Sequence, residues 1–167
     1  MSIDIEHLRE WIGREQVAEQ ALEPFPATAL SGLLDRAAPP VVGDALPLPW
    51  HWLYFLPLFR QSEVGPDGHA HRGEFLPPVS LPRRMWAGSE FEFHQPLRVG
   101  ESVTRVSTIA GISEKTGRSG SLVFVKVRHE LRRIGEALAL AETHDIVYRE
   151  AARPGAIAPP ASAAPGA

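Results

Sequence analysis

The chain has 167 residues, 44% of them apolar and 22% charged, with a formal net charge of −3 and no cysteine. That length and balance suit one globular domain with a sizeable core, and the weak charge advertises neither nucleic acid nor an anionic membrane. Without cysteine there is no thiol catalysis, no Cys-type zinc site and no disulfide framework.

The N-terminus, "MSIDIEHLRE", is too acidic for a signal peptide, and no apolar run approaches the roughly 20 residues of a membrane span, so a cytoplasmic location is expected. Ile5, Leu8 and Ile12 recur at i, i+3 and i+7, which predicts a short amphipathic helix closed by Gly13. Residues 14–22 contain mostly Glu, Gln, Ala and Val, and propensity alone favours a helix there. Pro24 and Pro26 open a second helix, "ATALSGLLDR", which stops before Pro39 and Pro40. Gly32 inside it costs about 1 kcal/mol against alanine. Close approach to a sheet would explain that glycine, and simple tolerance is the alternative.

The proline-bounded run "WHWLYFLPLF" reads as a buried aromatic strand. A long loop, "QSEVGPDGHAHRGEFLPP", follows it with a Pro-Asp-Gly turn signal. From Met85 the pattern is that of strands: "EFEFHQ" alternates, "ESVTRVSTIAGI" is rich in β-branched residues, and "SLVFVKVRHELRRI" and "EALALAETHDIVYR" close the series. Gly100, "KTGRSG" and Gly135 sit where turns belong. Four successive antiparallel strands, an earlier aromatic strand and one apolar helix over the concave face predict an α+β domain of hot-dog architecture across residues 1–150. The Ala/Pro/Gly-rich stretch 151–167 cannot offset its ordering entropy and reads as a disordered tail or linker.

Among the histidines, His69 and His71 lack a third ligand and suit a solvated loop better than a metal site, so no metal is expected. His94 falls on the polar face with Glu90 and Glu92. His129 continues the apolar face of Val123, Val125 and Val127, which points it inward as a hydrogen-bonded core residue. His144 and Asp145 are adjacent on one strand, face opposite sides and cannot pair. Asp44 and His51 follow the second helix and are the fallback catalytic pair. Such a pair could serve the reversible syn hydration of an enoyl thioester: in the dehydration direction one group removes the α-proton and the other protonates the leaving hydroxyl, and in hydration the same protons move back. A turn aspartate and a strand-opening histidine explain the same residues.

No nucleophile elbow or phosphate loop is present, since the serine of "GRSGS" fits a hairpin turn. The remaining cations, Arg83, Arg84, Lys115 and Arg118, fall in predicted loops or strand ends, with Trp86 beside the arginine pair. They are the candidate substrate-binding set: charge outward for phosphate, indole against a pantetheine or acyl chain. Solvated loop charges are the plainer reading.

The blocks "GDALPLPWHWLYFLPLFRQSEVGPDGH", "GEFLPPVSLPRRMWAGSEFEFHQPLRVGESV", "EKTGRSGSLVFVKVRHEL" and "ETHDIVYRE" closely resemble the N-terminal half of MaoC-like hydroxyacyl-thioester dehydratases of type 2, a group that includes enzymes similar to mesaconyl-CoA and itaconyl-CoA hydratases. The resemblance covers nearly all of residues 3–150. It implies a hot-dog fold and makes residues 14–22 the first strand.

In such proteins two hot-dog halves lie side by side, and the catalytic His with its Asp or Asn partner belongs to the second. This chain lacks the corresponding block: Asp44 and Pro47 fit the pattern, the Asn is missing, and His51 stands two residues too far on. The resemblance therefore implies a subunit or half of an enoyl-CoA hydratase/3-hydroxyacyl-thioester dehydratase. It would shape the acyl tunnel, need no cofactor beyond its acyl-CoA or acyl-carrier thioester, and pair with a second hot-dog chain as a homo- or heterodimer. A self-sufficient hydratase using Asp44 and His51, a non-catalytic thioester-binding module and a thioesterase are the alternatives.

Overall fold

The computed structural model describes residues 3–151 apart from 66, 118, 119 and 136. Arg118 and all but the first residue of the expected tail thus lie outside the described residues. Helix α1 (Ile5–Arg9) begins where Asp4 accepts a hydrogen bond from the His7 amide at 3.1 Å, buries Leu8, and gives way to a turn with Gly13 at φ +85°. Strand β1 (Glu15–Ala21) follows, and helix α2 (Pro24–Leu33) starts with proline at its first position. The remaining strands are β2 (Arg83–Phe93), β3 (Ser102–Gly117), β4 (Gly120–Arg133) and β5 (Leu138–Arg149).

All five strands form one curled antiparallel sheet in the order β1-β3-β4-β5-β2. The expected four-strand run is a three-strand meander, β3 to β5, with β2 pairing on β5 at the far edge. β1 is a strand despite its helical composition, because a helix of seven residues is marginal by itself whereas pairing along β3 from Glu15↔Thr108 to Ala21↔Ser102 joins it to the sheet. Its exposed Glu and Gln side chains suit an edge.

The buried face of the sheet carries two apolar clusters. One holds Leu22, Trp50, Tyr54, Phe55, Val103, Leu131 and Leu140, with Ala27 of α2. The other holds Leu8, Val79, Leu81, Ile109, Val123, Val125, Val127 and Tyr148. Helix α2 buries only Ala27 and Ser31 and shares the cover with the chain that follows it, while Phe25 and Leu33 remain 78% and 82% exposed. A Cβ at Gly32 would meet no atom within 4 Å, so close packing does not explain that glycine.

The aromatic run is not a strand. It forms a 3₁₀ turn, Trp50–Leu53, and continues as irregular chain with Phe55 at φ +56°. A strand would alternate its side chains, whereas this path buries Trp50, His51, Tyr54 and Phe55 together. Backbone bonds between residues 43–46 and 97–99 hold the segment against the sheet: Leu46 N–H donates to Leu97 O at 2.7 Å and Gly43 N–H to Val99 O at 2.9 Å. Gly100 turns the chain into β3 at φ +88°, where a Cβ would sit 2.9 Å from Val42 Cγ1.

Candidate active site

Ser107 of β3, His129 of β4, Glu142 of β5 and Phe91 of β2 stand opposite one another across four neighbouring strands. The next row brings Val127, His144 and Ser89 into register. Strand alternation puts Glu142 and His144 on the same buried face, between the two apolar clusters. The 3₁₀ turn then lays His51 and Trp52 over them.

Glu142 is 2% exposed and is the centre of this arrangement. His144 Nε2 lies 2.5 Å from Oε1, His51 Nε2 lies 3.1 Å from Oε2, and Trp52 Nε1–H donates to both oxygens at 3.1 and 3.0 Å. An ionised carboxylate only accepts, so each imidazole nitrogen facing it carries a proton. Burial opposes ionisation of Glu142 most strongly. The hydrogen bonds from His144, His51, Trp52 and Ser89 together outweigh it and hold the carboxyl well below the usual carboxylate range.

His129 stands edge-on to His144 with ring centroids 4.6 Å apart, and its Nδ1 is 2.7 Å from Ser107 Oγ. Burial, then the neighbouring His144 and Arg105, bring its pKa down from 6.5 to about 4, so it is neutral near pH 7.

This cluster forms one side of a cavity of about 330 Å³. Trp52, Phe55, Leu56, Trp86 and Leu131 give it a largely apolar wall, and Arg105 adds a cation. Trp86 meets Trp52 edge-to-face at 5.8 Å, and its Nε1–H donates to Ser89 Oγ at 3.1 Å. A cavity of this size, apolar with a few convergent polar groups, has the ordinary make-up of a small-ligand site.

A family model described as hydroxyacyl-thioester dehydratase type 2 matches residues 49–165. The chain belongs to that family. It is 43% identical over 145 residues to mesaconyl-C(4)-CoA hydratase of Chloroflexus aurantiacus, a match that takes in 86% of this chain and 51% of the relative. The chain thus spans about half the length of that relative. Among solved structures it is similar to the ChsH1–ChsH2 complex of Mycobacterium tuberculosis, with TM-score 0.62 and 13% identity over 95% of this chain and 96% of the other. It is also similar to the C-terminally truncated HadBC 3R-hydroxyacyl-ACP dehydratase complex of the same organism, with TM-score 0.51 and 9% identity over 81% and 96%. The fold of this type 2 dehydratase-family chain is hot-dog.

Within this family member, the residues singled out from sequence fall in several places. Asp44 is exposed, accepts from the Val41 amide at 2.9 Å, and caps a loop; His51 pairs with Glu142 instead, so the structure does not join the two into one site. Trp86 lines the cavity. Arg83 and Arg84 are the first residues of β2 rather than a turn, and alternation points them to opposite sides of the sheet. Arg84 lies opposite Tyr148, while Arg83 borders a separate groove with Arg72 and Ser80. Lys115, near the end of β3, sits 5.1 Å over the Phe124 ring.

His94 is exposed and His129 faces inward. His144 and Asp145 diverge, Asp145 pairing with Lys126 at 2.7 Å. His69 and His71 are exposed, and among the described residues no group of three or more His, Cys, Asp or Glu is placed to hold a metal ion. Nor, among them, is any helix long and apolar enough to cross a membrane. The family's sequence pattern did not reveal Glu142 as the centre of the site. The available signal was an acid at an inward position two residues before His144 in "AETHD".

Proposed function

We propose that this chain is one hot-dog half of an enoyl-thioester hydratase/3-hydroxyacyl-thioester dehydratase, walling the acyl site while a second hot-dog chain or domain supplies the acid–base groups. The carrying observation is that this chain, with its apolar-walled cavity, matches only about half of a hydratase, and the tuning of the cavity's own polar groups agrees with it. A general acid or base works best with a pKa near the operating pH, yet Glu142 is held far below it by its donors and His129 is brought down to about 4. The site therefore has an apolar wall and a rigid polar seam, with neither of these two groups poised for proton transfer at neutral pH. The likeness in fold to two solved complexes, one of them titled a dehydratase, agrees with a chain that works beside a second one.

One observation favours a second reading, a hydratase complete in itself. His144 is partly exposed in the cavity and oriented by a carboxylate, the arrangement that prepares an imidazole for catalysis. The readings separate in a hydration assay with crotonyl-CoA and mesaconyl-CoA. On the two-chain reading this chain alone gives no turnover, and hydration appears with a second hot-dog chain carrying an Asp/Asn–His block. Steady turnover by the chain alone, abolished in His144→Ala, would establish the second reading and end the first.

The thioester's phosphates would meet the end of the sheet on the cavity's own face. Arg84 stands two residues before the cavity residue Trp86 on β2 and opposite Tyr148, so alternation puts it on the side of the sheet that carries Glu142 and His144. Removing its charge as Arg84→Ala should weaken acyl-CoA binding about tenfold and flatten its salt dependence. Titration calorimetry at two ionic strengths checks this, and unchanged affinity would remove the phosphate role.

A further inference from the structure

Tyr54, Phe55 and Leu56 are consecutive in the chain, yet all three line the cavity. An extended chain sends alternate side chains to opposite sides, so three in a row on one wall require a break in its course. Phe55 supplies that break: its φ of +56° lies in the left-handed region, where a bulky residue is an outlier. The residue is only 8% exposed, and its surroundings hold the unfavourable conformation from several sides. Phe55 N–H donates to Gln20 Oε1 at 2.6 Å, Arg105 Nη1–H donates to Phe55 O at 3.3 Å, and the hydroxyl of the preceding Tyr54 donates to Glu23 O at 2.7 Å. Gln20 is the unexpected member of this set. It belongs to the edge strand β1, where an exposed glutamine needs no partner but water. Gln20 shares its face with Ala18, which packs on the first apolar cluster, so alternation directs its side chain over the core toward the Phe55 amide. A backbone amide only donates, so the glutamine oxygen and not its nitrogen faces it.

We infer that Gln20 is a positioning residue of the acyl site: its side-chain oxygen holds Phe55 in the left-handed conformation, and Phe55 in turn brings Tyr54, its own ring and Leu56 against the acyl group. The inference rests on the thioester reading above and adds to it a residue that does not itself line the cavity. Strained backbone persists only where the structure around it over-determines it. Here the strain does not serve close packing. It leaves a cavity of about 330 Å³ beside the ring, whereas a chain free to relax would gain dispersion contacts by filling that space. The Phe55 ring also lies 4.8 Å under the Arg105 guanidinium, so a wall that shifts at Phe55 shifts that side chain as well.

The test titrates butyryl-CoA and free CoA, neither able to undergo hydration, into the full chain and two variants. Gln20→Leu removes the acceptor, and Gln20→Glu keeps one. The wild type should bind butyryl-CoA about tenfold more tightly than CoA, since only the former has an acyl group to bury. One hydrogen bond is worth roughly fivefold, so Gln20→Leu should cut that ratio by about this factor and leave the CoA affinity unchanged, while Gln20→Glu should keep the ratio within about twofold. Hydrogen exchange of the Phe55 amide, followed by NMR, should quicken about tenfold in Gln20→Leu relative to the Tyr54 amide, which His51 O holds. An unaltered Phe55 exchange rate would overturn the hold of Gln20 on Phe55. Faster exchange with an unaltered affinity ratio, or equal losses for both ligands, would overturn the positioning role, and either result leaves the thioester reading standing. A wild type that binds butyryl-CoA no better than CoA would overturn the cavity as an acyl site, and this inference with it. Gln20 is exposed on an edge strand, so circular dichroism should find both variants folded, and Gln20→Ala gives the same contrast if leucine disturbs the edge.

Discussion

Replacing Glu142 with leucine should destabilise the protein by about 3–5 kcal/mol, the cost of breaking a buried charged network by removing one member. Leucine is close in volume, so the loss reports hydrogen bonding rather than a cavity. His51 and His144 would lose their shared acceptor, and the Trp52 indole N–H would lose its own. Each buried donor left unpaired costs about 1–3 kcal/mol. Glu142→Gln keeps one acceptor oxygen but turns an N–H₂ toward the surrounding donors, so it should fall between leucine and wild type. Urea unfolding at neutral pH, followed by circular dichroism, measures both. A loss below about 1 kcal/mol for Glu142→Leu would show that the seam does not contribute to stability. The 3₁₀ turn should also loosen in this variant, because Glu142 joins that turn to β5. Faster hydrogen exchange confined to residues 50–56 is the corresponding local signature.

The second large effect is a loss of stability on mild acidification. His129 has its pKa lowered from 6.5 to about 4, so the unfolded chain binds its proton first as the pH falls. Its contribution is complete above pH 6.5 and is lost between pH 6.5 and about 4, where it amounts to at most about 3 kcal/mol. The shift reflects surroundings as well as burial: His144, Arg105 and His51 disfavour a proton there, and Glu142 favours one. Glu142 acts in the same direction lower down, its contribution being complete above the ordinary carboxylate value of 4.5 and fading below it. Wild-type stability should thus slope downward from pH 6.5, steepening below 4.5. In His129→Gln, which cannot titrate, the upper part of that slope should flatten while the lower part persists. Chemical denaturation at intervals from pH 7 to 4 compares the two proteins. Parallel curves would mean that His129 is not the titrating group.

These two effects join the fold to the chemistry proposed for it. A seam of Ser107, His129, Glu142, His144 and His51 between two apolar clusters is costly to assemble. Its fixed hydrogen bonds hold Trp52 and, through Ser89, Trp86 in the cavity wall. A wall of fixed shape suits a chain that positions a thioester for groups supplied by another, since a misplacement of about 1 Å can cost a hundredfold in rate.

The meander could be read directly from the sequence. β3, β4 and β5 show period-two patterning in β-branched residues, with glycine at the turns, and the inward histidine of β4 and the divergent His144 and Asp145 follow from the same alternation. β1 could not be read this way. "EQVAEQA" has helical composition, and the family resemblance, rather than its own pattern, pointed to a strand. The aromatic run misled for a related reason: its composition suits a strand, but among the described residues no strand pairs with it, and the 3₁₀ turn and the chain after it bury Trp50, His51, Tyr54 and Phe55 together. Arg83 and Arg84 look like one rim when written in a line, yet strand geometry separates them.

Local pattern was thus sufficient for the alternating strands, the presence of the first helix and the family, because each is written in residues close along the chain. Only the tertiary structure decided the site. His51 and Glu142 are 91 residues apart, and the contact between them exists only once β5 and the 3₁₀ turn fold onto one another. The same holds for Arg105, which the fold brings from β3 to the cavity wall, where its guanidinium meets the ring and carbonyl of Phe55 fifty residues away.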